Sequence, residues 1–159
     1  MLDVVSDVVF LANFAVVVGL TIPVLGLGLA LGVGFETGVL GMLVFALMGA
    51  AWGLAFTGFP YAIALKTGNP AAVNTSFILF FPFAFLTTSF LPQRALTGWL
   101  STIADYNPVT YLLGGMRTLV LDGWDVPRLL EALAAIVGIG TVSMTLALLA
   151  LRGRLRRGS

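Results

Sequence analysis

Long apolar runs separated by short polar breaks organise this chain. Residues 8–34, 38–65, 70–91 and 129–151 are predominantly apolar; the first three contain no Asp, Glu, Lys, Arg or His, and the fourth contains only Glu131, close to its start. A helix of about 20 such residues crosses the ~30 Å hydrocarbon core of a bilayer. The pattern therefore predicts an all-α, polytopic membrane helical bundle with four transmembrane helices. Pro23 removes a backbone donor inside the first run and is expected to bend it. Gly28 and Gly32, like Gly49 and Gly53 in the second run, form small-xxx-small pairs that favour close helix approach. The break Phe35-Glu36-Thr37 is short enough to force an antiparallel hairpin. Pro60 is expected to kink the second run near its end. Lys66-Thr67-Gly68-Asn69 reads as a tight polar turn. Asn69-Pro70 pairs a good N-cap with a residue suited to the first helical position, and so starts the third run.

Residues 91–128 are too polar for a span and too apolar for a loop. Leu96, Trp99, Leu100 and Ile103 recur at i, i+3, i+4 and i+7, the signature of one apolar helix face. Asn107-Pro108 repeats the cap-plus-proline start. Val109, Leu112, Leu113, Met116, Leu119 and Val120 then mark a second apolar face, and Gly123 is a stop. Two short amphipathic helices of this kind predict a re-entrant or interfacial hairpin. Non-helical backbone at membrane depth is tolerated only against protein or a watery cavity. Trp99, Tyr106, Tyr111 and Trp124 suit a headgroup-level position.

Charge orients the bundle. Arg152, Arg154, Arg156 and Arg157 follow the last run directly, which makes that end cytoplasmic by the positive-inside rule. Both termini and Lys66–Asn69 then lie inside, with Glu36 and the short hairpin outside. Lys66 and the tail arginines stand inside against Arg94, Arg117 and Arg128 outside. Asp3 and Asp7 sit where a cleavable signal peptide would carry positive charge, so the first run reads as a span. Residues 1–159 are treated as one domain.

Composition agrees. The 159 residues are 59% hydrophobic and 9% charged, with a mean hydropathy of +1.06, against about 25% charged residues in soluble domains. With no His and no Cys, thiol catalysis, histidine general-base catalysis and the usual zinc sites are excluded. No phosphate-binding G-x-x-x-x-G-K-[ST] loop occurs. Apart from Glu131 at the start of the last, no Asp, Glu, Lys or Arg lies within the four runs, which disfavours proton or sodium coupling. The chain is not expected to be an enzyme or to bind a cofactor, and the arginine tail favours anionic membrane lipid over nucleic acid. Asn74, Thr75, Thr87, Thr88 and Ser89 either line a substrate path or hydrogen-bond between helices near prolines. Arg117 either pairs with an acid such as Asp105 or reaches to the surface.

The stretch from Lys66 to Gly123 resembles the ABC-2 type permease family, and within it the drug-exporter branch of daunorubicin-resistance type. The carrying residues are Gly68-Asn69-Pro70, then Phe81-Pro82-Phe83 continuing through Thr87-Thr88-Ser89 to Phe90-Leu91-Pro92. Gly98-Trp99-Leu100, Asn107-Pro108-Val109-Thr110-Tyr111, Arg117 with Leu119, and Asp122-Gly123 follow in order. Thr88 stands where many members carry Gly. The resemblance implies a permease subunit that pairs with itself or with a second permease. It implies export of an amphiphilic or hydrophobic substrate, with ATP hydrolysed by a separate ATPase subunit. It implies that Lys66, Thr67, Gly68 and Asn69 approach the ATPase, with Asp3 and Asp7 the remnant of a coupling segment. Trp99, Asn107, Pro108, Tyr111 and Arg117 would belong to an external re-entrant gate. Members usually have six spans, so this chain is expected to correspond to the last four. The alternative is a truncated, non-transporting membrane protein with a regulatory or assembly role. Richness in Ala, Gly and Val, and Arg in preference to Lys, point to a bacterial cell membrane.

Overall fold

A computed structural model describes residues 15–16, 19–69 and 99–155, with the side chains of 99–101 and 155 outside that description. Every regular element among the described residues is helical. In chain order these are α1 Gly19–Ala30, α2 Gly38–Phe56, α3 Gly58–Thr67, α4 Trp99–Tyr106, α5 Pro108–Leu121 and α6 Val126–Leu155. The third apolar run, 70–91, lies outside the described residues, as do 1–14 of the N-terminal segment and Leu96.

Two stretches are long and apolar enough to cross a membrane, Gly38–Thr67 over 30 residues and Val126–Arg154 over 29. At 1.5 Å per residue each extends about 45 Å, the full thickness of a bilayer with its headgroups. A core helix of a water-soluble protein would be mostly buried. Only 17% of the most apolar window of either stretch is. Val39, Leu47, Leu130, Val137 and Leu149 point outward. Apolar surface of this extent calls for lipid or a protein partner. By contrast α5 has 14 residues and α4 has 8, too short to span.

The ends of the elements follow local chemistry. α1 contains Pro23 and stops at Ala30, four residues short of the expected Gly34. The Gly32 N–H donates to Leu29 O and the Val33 N–H to Gly28 O, both at 3.0 Å, with Gly32 at φ 85. This is a Schellman cap, which satisfies carbonyls the helix end leaves open. Gly32 is thus needed for its backbone conformation. A Cβ on Gly28 or Gly32 would meet nothing within 4 Å, so no helix packs closely on this pair among the described residues. The second run is interrupted at Thr57, three residues before Pro60. Proline cannot donate to the carbonyl four residues earlier, so the distortion falls in the preceding turn. There the Thr57 hydroxyl donates to the Leu54 carbonyl. α6 begins at Val126, earlier than the expected 129, because the Asp125 carboxylate accepts the Arg128 N–H at 3.1 Å as an N-cap.

α6 packs against α2, α3 and α5. Its inward stripe runs at helical period through Ala132, Ile136, Gly140 and Ser143, small residues apart from Ile136. The Ser143 hydroxyl donates across the interface to the Ala55 carbonyl, with the Gly140 carbonyl 3.1 Å away. A Cβ on Gly58 would lie 2.5 Å from the Ser143 carbonyl carbon, and one on Gly115 would lie 2.7 Å from the Ala132 Cβ. Met48, Leu112, Leu119, Ala132 and Ile136 form the buried core where α2, α5 and α6 meet. The start of α2 lies by α5, Ala55 and Gly58 by Ser143, and the end of α3 by the end of α6. The α2–α3 stretch and α6 therefore run in the same direction.

Replacing Gly58 with Ala should cost about 1–3 kcal/mol, because the new methyl meets backbone that cannot rotate away. Gly138→Ala, which meets nothing within 4 Å, should be neutral. Thermal unfolding of both variants in detergent checks this, and equal midpoints would contradict the close approach of α3 to α6.

Candidate functional site

Polar chemistry collects at the two ends of this packed unit. At one end the 31–37 loop caps α5. The Glu36 N–H donates to Val120 O at 3.2 Å and the Thr37 N–H to Leu119 O at 3.4 Å. The Thr37 hydroxyl donates to the same Leu119 carbonyl at 2.6 Å. The last carbonyls of a helix lack intrahelical donors, and here a loop more than eighty residues upstream in the chain supplies them. Phe35 sets its ring edge-on to Phe45 at 5.6 Å, holding the loop in place.

The α4–α5 hairpin is built as its residues predict. Asn107 is extended, at φ −82 and ψ 117, and its Oδ1 accepts the Val109 N–H at 3.0 Å. Pro108 occupies the first helical position, where its missing N–H is no loss. The Tyr111 phenol donates to the Asp105 carbonyl at 2.6 Å, which staples the end of α4 to the first turn of α5. Asp122 closes α5 and Gly123, at φ 96, turns the chain toward α6. Arg117 is exposed on α5. Asn107, Pro108 and Tyr111 thus sit together, with Tyr106 and Trp124 also exposed. The Trp99 side chain lies outside the described residues.

Two faces differ from the hydropathy pattern. On α5, Thr110, Gly115 and Thr118 are buried beside Val109, Leu112 and Leu119. The face is centred on Gly115, where α6 comes closest, so small residues matter there more than large apolar ones. On α4, Ala104 is buried and Ile103 is exposed. Thr118 returns its hydroxyl to Gly115 O at 2.8 Å. Thr110 Oγ1 is buried without a hydrogen-bond partner among the described residues.

At the opposite end, Lys66, Thr67, Gly68 and Asn69 close α3. Gly68 adopts the left-handed conformation at φ 67 and its N–H donates to Ala64 O at 2.9 Å, a single-bond helix stop that favours glycine. The Thr67 hydroxyl donates back to Ile63 O at 2.8 Å. Between this turn and the end of α6 lies a cleft of about 660 Å³, walled by Ala62, Ile63, Leu146 and Leu149, with Lys66 and Arg154 at its rim. Among the described residues no group of three or more His, Cys, Asp or Glu side chains is placed to hold a metal ion. Asp3, Asp7, Asn74, Thr75, Thr87, Thr88 and Ser89 lie outside the described residues. The cleft was not legible beforehand, since its two cations come from distant parts of the chain.

Asn107→Ala should lower stability by about 1 kcal/mol through loss of the cap, while Asn107→Asp should retain it. Thr110→Val should leave the unfolding midpoint unchanged or raise it, because a buried hydroxyl without a partner is costly. Melting curves of the three variants in one detergent check both expectations.

The chain is similar in sequence to drug-resistance permeases. It is 29% identical over 117 residues to a daunorubicin resistance ABC transporter permease protein, DrrB1, of Streptomyces coeruleorubidus, covering 71% of this chain and 41% of the relative. It is 25% identical over 132 residues to a probable doxorubicin resistance ABC transporter permease protein, DrrC, of Mycobacterium tuberculosis, covering 83% of this chain and 48% of the relative. The chain spans about half the length of the curated relatives it matches. No family model matches, and no solved structure matches significantly. The similarity supports the ABC-2 permease family, and the apolar helices of this chain are compatible with membrane spans.

Proposed function

We propose that this chain forms the membrane-spanning permease subunit of a bacterial ABC exporter. A separate ATPase subunit hydrolyses the ATP, and the cargo is an amphiphilic or hydrophobic compound. The observation that carries this reading is the similarity to drug-resistance permeases along 71% or more of the chain. Physical chemistry supports it. Within residues 38–65 and 132–151 there is no Asp, Glu, Lys, Arg or His to hold a coupling ion, so energy must come from a partner.

The two polar ends then take different roles. The end bearing Lys66–Asn69 and the arginines of α6 faces the cytoplasm by the positive-inside rule. There Lys66, Thr67, Gly68 and Asn69 contact the ATPase, with Asp3 and Asp7 contributing from the N-terminal segment. The other end faces outward. There α4 and α5 form a re-entrant gate, since α5 is too short to span and rests on α2 and α6, as non-spanning backbone must rest on protein. Asn107, Pro108, Tyr111 and Arg117 belong to the gate, together with Trp99. The four apolar runs serve as spans, with Asn74, Thr75, Thr87, Thr88 and Ser89 along the cargo path. The outward apolar faces of α2 and α6 supply surface for pairing with a second copy or another permease, and for lipid.

Co-purification with an ATPase subunit and cargo-stimulated ATP hydrolysis test the reading, and failure of both would overturn it. Lys66→Ser, Thr67→Gly and Asn69→Ser together, with Gly68 kept for its left-handed backbone, should reduce cargo-stimulated hydrolysis to the basal rate. Membrane insertion should be intact. Unchanged coupling would remove this turn from the ATPase contact. Trp99→Ala should weaken transport at normal expression, and undiminished transport would argue against a gate at the hairpin.

A further inference from the structure

We propose that the cleft between the ends of α3 and α6 is a binding site for one anionic phospholipid. The site presupposes, with the function proposed above, that these two helices cross a bilayer, but it does not depend on export. Three features define it. The cleft of about 660 Å³ is walled by Ala62, Ile63, Leu146 and Leu149, which offers an apolar channel to an acyl chain. Its rim carries Lys66 from α3 and Arg154 from α6, with no Asp or Glu among the lining residues. Both helices reach their C-terminal turns here, and the backbone turns at Gly68, which sets the rim at the level of the headgroup layer.

Charge and hydrophobicity select the occupant together. Two cations on separate helices, with no acid among the described residues that line the cleft, call for an anion that bridges them, as a phosphate oxygen set does. The apolar walls below call for a hydrocarbon tail joined to that anion. Basic pockets between membrane helices on the cytoplasmic side have this chemistry. A zwitterionic lipid places a cation beside its phosphate and so loses the advantage of the rim. A free phosphate leaves the channel unused. The lipid would tie α3 to α6 at the end of the seam, beyond the hydrogen bond made by Ser143.

Arg152 provides the internal control. It shares the last turn of α6 with Arg154 and any role in topology or helix dipole, but it does not line the cleft. The purified 159-residue chain in detergent is titrated with equimolar phosphatidylglycerol and phosphatidylcholine, and retained lipid is counted by native mass spectrometry. One phosphatidylglycerol per chain is expected in preference to phosphatidylcholine. Lys66→Gln and Arg154→Gln should each weaken retention roughly fivefold, while Arg152→Gln should change it less than twofold. Ala62→Trp, which keeps both cations and fills the channel, should also abolish preferential retention, with helicity unchanged by circular dichroism. Equal retention of the two lipids, an Arg152→Gln loss as large as that of Arg154→Gln, full retention by Ala62→Trp, or displacement by excess inorganic phosphate would each overturn the site. Because no ATPase or cargo enters this measurement, a chain that transports without lipid preference rejects only the lipid site. A chain that retains the lipid without transporting rejects only export.

Discussion

Close backbone approach along one stripe of α6 is the interaction on which the rest of the described structure depends. Lipid tails are as apolar as leucine, so burying leucine between helices gains little in a bilayer. Association must come from van der Waals contact at short range and from hydrogen bonds. α6 meets both needs on a single face. Ala132, Gly140 and Ser143 keep that face flat, and Gly115 and Gly58 on the opposing helices let backbone come within contact distance. The Ser143 hydroxyl then reaches the Ala55 carbonyl beside the interruption at Thr57. The bond thus falls where proline has weakened the helix's own ladder, and it joins the distorted turn to its neighbour.

Hydrogen-bond accounting explains the rest of the arrangement. Each helix end exposes backbone groups that need partners, and among the described residues these come from local caps and from one distant loop. Gly32 and Gly68 cap by left-handed turns, and Asn107 and Asp125 cap with side chains. The distant device is the 31–37 loop, whose Glu36 and Thr37 donors meet the last carbonyls of α5. That contact fixes the short helix against the start of α2. It also lets a 14-residue helix rest in the bundle without spanning it, with α6 contacting its other side at Gly115.

The parallel course of α2–α3 and α6 carries the functional consequence. It places the cationic ends of both helices together and the α4–α5 hairpin with the 31–37 loop at the other end. The permease role proposed above would use this segregation to keep the ATPase-facing end apart from the gate. The close contacts of α6 with α2, α3 and α5 run between the two ends.

Hydropathy alone determined where the long helices lie, and local chemistry determined several of their ends. Asn107-Pro108 and Gly123 bound α5 because capping needs only neighbours in sequence. The interruption before Pro60 was legible for the same reason. The packing faces were not. In long helices that are apolar on all sides, hydrophobicity offers no contrast between an inward and an outward face. Gly28 and Gly32 looked like a packing pair, yet Gly32 serves a helix cap. Gly58, Gly115 and Ser143, which make the closest contacts, carried no such mark. Only the tertiary structure decided which small residues face a neighbour, and that Lys66 and Arg154 share one cleft. Both depend on how helices distant in sequence align, and that alignment is set by shape at short range rather than by any residue's affinity for water.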